Sequence, residues 1–86
     1  GLETKVLSIA GFDASAGAGV LADIKVFQAL NVSGLGVCTG ITYQNDLAVA
    51  GVSWLGVEDV RAQLVQLARR FKINWAKIGV VPGINF

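Results

Sequence analysis

Eighty-six residues with a net charge of +1 allow one small domain or part of a larger one, and give no electrostatic footprint for nucleic acid. Hydrophobic residues make up 53% and charged residues 15%, against about 25% charged in an average domain. A small domain needs proportionally more polar surface, so this composition reads as the buried part of a bigger α/β domain. No apolar run reaches the roughly 18 residues of a membrane helix. The first residues lack the basic-then-apolar order of a signal peptide. Cys38 is the single cysteine, so no internal disulfide can form and a reducing, cytoplasmic setting is expected.

Lys5 to Ala10 (KVLSIA) is a short apolar run that predicts a buried strand, with a loop from Gly11 to Ala16. From Gly17 to about Leu30 the apolar residues Val20, Ile24, Phe27 and Leu30 form a helical stripe, with Asp23, Lys25 and Gln28 off it. Asn31 ends that helix, Gly34 to Thr39 predicts a second strand, and Gly40 to Asp46 (GITYQND) reads as a polar loop. Ala48 to Leu55 is a third extended segment at the sheet edge, because it carries Gly51 and Ser53. The second helix runs from Val57 to Phe71. Glu58 and Asp59 open it and Arg69 and Arg70 close it, the order that the helix dipole favours. These arginines with Lys72 are the one basic cluster, and they read as dipole complements. Trp75 to Val81 is a last strand before Pro82 and Gly83. Nearly all-apolar strands alternating with helices predict a parallel sheet covered on both faces.

Ligands of such sheets bind outside the C-terminal strand ends. There the sequence places Asp13, Ser15, Asp23, Thr42, Tyr43, Gln44, Asn45 and Asp46 around one crevice. Gly17, Gly19 and Ala22 have the G-x-G-x-x-A spacing of a dinucleotide turn. Gly17, however, stands too far beyond its strand, Asp23 sets a negative charge beside any pyrophosphate, and no acidic residue ends the second strand. A pocket for a small, weakly polar molecule suits the same residues better. The Gly17-Ala18-Gly19 backbone allows close approach, Asp23 can accept from a hydroxyl, and the Gln44 amide offers a donor beside an acceptor. That pairing matches a heteroaromatic ring with an amino group next to a ring nitrogen. The competing readings are a solvated helix residue for Asp23 and a loop residue bonding its own backbone for Gln44. Trp54, Phe71 and Trp75 read as packing residues. With no histidine there is no thiol–imidazole or serine–histidine pair, and the carboxylates have no metal spacing.

The run LSIAGFDASAGAGVLADIKVF, followed by ITYQND and then KIGV, resembles the N-terminal third of the hydroxymethylpyrimidine and phosphomethylpyrimidine kinases of thiamine biosynthesis. These are members of the ribokinase-like superfamily. Their pattern is approximately T-I-A-G-S-D-x-S-G-G-A-G-I-x-A-D-L-K, then T-A-x-x-x-Q-N, then K-I-G-M, and the likeness runs through essentially the whole chain. The resemblance implies a three-layer α/β/α fold with a mostly parallel sheet, of which residues 1–86 are the N-terminal part of a single kinase domain. It implies phosphorylation of an aminopyrimidine's hydroxymethyl group, and then of its monophosphate, with ATP and Mg²⁺, in a homodimer. Carried over, Gln44 reads the pyrimidine's amino group and ring nitrogen, Gly11 and Ala18 give backbone contacts, Asp23 lies near the hydroxymethyl group, and Thr42 and Val80 line the pocket. The departures are Phe12 for Ser or Thr, Ala14 for Pro, Ala16 for Gly, Tyr43 for a small residue and Val80 for Met. Phe12 and Tyr43 are expected to add bulk near the pocket, which keeps a pyridoxal-type kinase or a truncated, non-catalytic binding homologue as alternatives. The family's anion hole, catalytic base and ATP site lie downstream, so the 86 residues alone are expected to be inactive.

Overall fold

The computed structural model describes residues 1 and 3–79. In chain order the elements are β1 (Lys5–Asp13), α1 (Gly19–Ala29), β2 (Ser33–Gln44), β3 (Val49–Trp54), α2 (Val57–Arg70) and β4 (Trp75–Ile78). They build one four-stranded sheet in the order β3-β2-β1-β4. β1 pairs in parallel with both β2 and β4, as the apolar runs predict, while β3 folds back antiparallel on β2.

Two stretches expected to be loops are strand. β1 continues through Gly11 and Phe12 to Asp13, after a register shift between Ala10 and Phe12, and pairs there with Ile41 and Thr42. β2 continues through the presumed polar loop to Gln44 because β3 supplies backbone partners for Gly40 to Gln44. The hairpin between them closes on Asn45, whose side-chain oxygen accepts from the N–H groups of Leu47 and Ala48 at 2.8 and 3.0 Å. The last strand is described over Trp75–Ile78, and its predicted end, Val81, lies outside the described residues.

Helix α1 lies close on the sheet because β2 presents glycines to it. A Cβ at Gly34 would stand 2.8 Å from Ile24 Cδ1, and one at Gly36 would stand 2.6 Å from Val20 Cγ1. The helix ends in a Schellman motif: Asn31, at φ 59°, donates to the Gln28 carbonyl, and Val32 to that of Phe27. Leu7, Ala10, Phe27 and Val37 form the buried apolar core, all on β1, α1 and β2. Leu30, assigned to the apolar stripe, is exposed, since it lies past the helix end.

Helix α2 runs one residue shorter than expected, with its acidic and basic ends as predicted. It meets the sheet at β2 through Gln63, which behaves like a strand neighbour. Cys38 N–H donates to Gln63 Oε1 at 2.9 Å, and Gln63 Nε2 donates to the Cys38 carbonyl at 2.8 Å. Phe71 follows the helix as a packing residue, with the Lys5 ammonium and Arg70 guanidinium over its ring at 5.6 and 5.1 Å.

Candidate functional site

At the C-terminal end of β1, the Asp13 carboxylate organises the turn into α1. It is 2% exposed. Oδ1 accepts from the Ser15 N–H and hydroxyl at 2.9 and 2.7 Å, and Oδ2 from the Gly17 and Ala18 N–H groups at 3.1 and 2.9 Å. The Ser15 hydroxyl, followed by the three backbone amides, holds this carboxyl below the usual carboxylate range against the opposing effect of burial. Two expectations change as a result. The Gly17 and Ala18 amides, expected to be open to a ligand, are committed to a carboxylate of the chain itself, which also agrees with the rejection of a phosphate cradle. Ser15, expected at the crevice, serves the turn.

Gly19 closes this arrangement. Its backbone bridges to Phe12 at φ 68°, and a Cβ there would lie 2.1 Å from the Gly11 carbonyl oxygen. No side chain can occupy that position without moving β1 or α1.

Asp23, four residues on, faces the sheet and is not off the helix's packed face as its polarity suggests. Positions 20, 23, 24 and 27 share that face at helical spacing. It is 8% exposed, accepts from the Ser8 hydroxyl at 2.7 Å, and pairs with the Lys77 ammonium at 2.5 Å. Burial pushes its carboxyl up, while the Lys77 and Ser8 hydrogen bonds and the Lys77 charge outweigh this, so it sits below the usual range. Asp23 is therefore a fixed anion and not a solvated helix residue.

The third wall is the β2–β3 hairpin. Gly40 and Thr42 alternate along β2 and pair with Trp54 and Val52 of β3, and past a register shift between Tyr43 and Gln44 the Gln44–Val49 pair joins them on the cavity face. The Gln44 Nε2 group donates to Thr42 Oγ1 at 2.5 Å, and the Thr42 hydroxyl donates to the Phe12 carbonyl at 2.9 Å. Gln44 thus bonds a neighbouring side chain rather than its own backbone.

These walls enclose a cavity of about 360 Å³ at the C-terminal ends of β1, β2 and β4. Gly11, Ala18, Asp23, Thr42 and Gln44 all line it, and Asp13 borders it. Val80, the sixth residue expected here, lies outside the described residues. Tyr43, Asn45 and Asp46 are not in the lining. In a strand, Tyr43 must point opposite to its neighbours Thr42 and Gln44, and Asn45 and Asp46 belong to the hairpin turn. Phe12 is absent from the lining for the same alternation, so neither bulky departure narrows the cavity. Sequence reasoning missed Lys77 of β4, set Gly79, just past β4, at this sheet edge without a role, and assigned Trp54 to packing. Trp54 and Val52 form an apolar wall, and Lys77 reaches Asp23 because it pairs in register with Ser8. The KIGV motif carried that signal, but only the strand register assigns the lysine to this aspartate.

Known proteins share both sequence and shape with this chain. The family model for phosphomethylpyrimidine kinase matches residues 13–85. The hydroxymethylpyrimidine/phosphomethylpyrimidine kinase of Bacillus subtilis is 44% identical over 77 residues, which are 90% of this chain and 28% of that relative. A crystal structure of phosphomethylpyrimidine kinase from Clostridium difficile superposes with a TM-score of 0.87 at 36% identity, covering 93% of this chain and 35% of the other. The pyridoxal kinase of Bacillus subtilis, solved as an ADP complex, gives 0.84 at 33% identity, covering 95% and 32%. The chain thus spans well under half of each relative. With the ribokinase-like fold of these structures and the family match over most of its length, the chain belongs to the phosphomethylpyrimidine kinase family.

Proposed function

We propose that the chain is the substrate-binding, N-terminal part of a kinase that transfers phosphate from ATP to hydroxymethylpyrimidine and then to its monophosphate. The observation that carries this reading is the Gln44 amide on the cavity wall, with one Nε2 proton given to Thr42 and no other side-chain hydrogen bond to the described residues. An amide in that state offers an acceptor and a donor side by side, the complement of an amino group beside a ring nitrogen. Trp54 and Val52 supply the apolar wall that a flat ring needs. The fixed Asp23 carboxylate accepts a hydrogen bond from the substrate's hydroxymethyl group and orients it. With its carboxyl held ionised by Lys77 and Ser8, Asp23 is a poor base.

The described residues do not suit ATP or Mg²⁺. The amides of the glycine-containing turn are committed to Asp13, Asp23 adds negative charge, and no group of three metal-ligating side chains occurs among the described residues. Phosphoryl transfer rests on positioning and charge stabilisation of the transferred group. On this reading that apparatus lies in the part of the relatives that the chain does not span, and the 86 residues alone do not turn over. The same reading carries a homodimer, supported by the apolar Leu47 side chain left in water on the hairpin. Sedimentation at micromolar concentration tests it.

Calorimetric titration of hydroxymethylpyrimidine into the protein expressed from its complete reading frame tests the central reading. Binding is expected for wild type, and Gln44→Ala should weaken it about tenfold to a hundredfold, the worth of two hydrogen bonds. Absent binding, or binding indifferent to Gln44, would falsify the pyrimidine assignment. Pyridoxal is the control ligand, because a pyridoxal kinase also shares the fold. Phosphorylation above background by the 86-residue chain would overturn its proposed inactivity.

A further inference from the structure

We infer that Thr42 is a positioning residue that fixes which way round the Gln44 amide faces, and thereby selects an amino-bearing ring over its oxo counterpart. The inference rests on the pyrimidine reading above and adds the origin of its polarity. A threonine hydroxyl has one proton. Here that proton goes to the Phe12 carbonyl at 2.9 Å, and a carbonyl can only accept. The Thr42 oxygen is left with lone pairs alone, so the group facing it at 2.5 Å must be a donor, which is Gln44 Nε2. Turning the amide over would set Oε1 against those lone pairs and lose the hydrogen bond.

The chain of bonds therefore runs from the β1 backbone through Thr42 to the substrate-facing amide. Its anchor is rigid: Phe12 is held in β1 and bridges to Gly19 at the start of α1. An unanchored glutamine can flip and serve either hydrogen-bond polarity. With the amide pinned, Oε1 and the remaining Nε2 proton keep fixed places. One polarity then fits: a ring donor where the amino group sits and a ring acceptor at the neighbouring nitrogen. An oxo analogue, with a carbonyl in place of the amino group and a proton on that nitrogen, meets both groups wrongly matched.

The test measures dissociation constants for hydroxymethylpyrimidine and for its oxo analogue on the protein from its complete reading frame. Wild type should prefer the amino ring. Thr42→Val, nearly isosteric but without the hydroxyl, should narrow the amino-to-oxo ratio about tenfold, the worth of one hydrogen bond, and Thr42→Ser should keep the wild-type ratio. A Thr42→Val protein with the wild-type ratio overturns the inference, as does a Thr42→Ser protein that narrows it equally. If Thr42→Val does not fold, wild-type nuclear Overhauser spectra decide: a contact from a Gln44 Nε2 proton to the Thr42 side chain is expected, and its absence overturns the inference. If Gln44→Ala loses the amino ring while Thr42→Val leaves the ratio intact, the pyrimidine reading stands and only this inference falls. If wild type binds neither ring, both fall.

Discussion

Alanine occupies position 16 at φ 61°, a left-handed conformation that costs a side chain about 1–2 kcal/mol. The family pattern has glycine there. Glycine removes that cost and adds a chain-entropy penalty of roughly 0.5–1 kcal/mol. Ala16→Gly should therefore stabilise by about 0.5–1 kcal/mol, read as a higher urea midpoint at unchanged slope. Gly19, three residues on, gives the opposite expectation. Its φ is also left-handed, at 68°, but a Cβ would meet the Gly11 carbonyl oxygen at 2.1 Å. Conformational cost and backbone clash add, so Gly19→Ala should destabilise by about 3 kcal/mol or more. Small, similar effects at the two positions would mean that the turn is not the one described.

At the scale of elements, the turn from β1 into α1 depends on a charge. Asp13 keeps its carboxyl low through the Ser15 hydroxyl and the amides of Ser15, Ala18 and Gly17, against burial. Asp23 is lowered as well: burial raises it, and Lys77 and Ser8 more than compensate. Both carboxyls are thus more acidic folded than unfolded, where an aspartate titrates near about 3.9. Their contribution is fully present above that value and is lost as pH falls through the lower folded values. Urea midpoints should be flat from pH 7 to about 5 and drop below about 4, with a shallower drop in Asp13→Asn. An identical acid profile in the variant would remove Asp13 from this role. The turn also shows where sequence reading stops. The apolar runs and helix stripes announced β1, α1, β2 and α2, the sheet-edge rule brought Asp23, Thr42 and Gln44 to one crevice, and the family motifs added Gly11. GITYQND looked like a loop because its polarity was read without its partner, β3. As a strand it sends Thr42 and Gln44 to one side and Tyr43 to the other. Lys77 was invisible for a related reason, since only strand register sets it beside Asp23.

Across the whole molecule, stability is concentrated in the middle of the sheet. The four buried apolar residues and the buried Ser8 and Thr39 all lie on β1, β2 and α1. By contrast β4 has no buried residue, α2 has none, and β3 has one that is partly covered. β4 joins the sheet through a short ladder to β1, with Trp75 69% and Ile78 66% exposed. Local opening free energy follows buried apolar contact and the sharing of backbone hydrogen bonds between neighbours. Hydrogen exchange of the 86-residue chain should therefore show β1 and β2 amides as the slowest, with β4 and the ends of α2 the fastest. The Cys38 amide is the informative exception, because Gln63 caps it where β3 does not reach. Gln63→Ala should speed its exchange selectively. The relatives extend well past the residues that this chain spans. In the protein from its complete reading frame, β4 protection should rise toward that of β1, because a further layer or strand would cover Trp75 and Ile78. Equal protection of β4 and β1 in the 86-residue chain would show that the sheet is already complete at that edge, and the proposed dependence on downstream residues would fail with it.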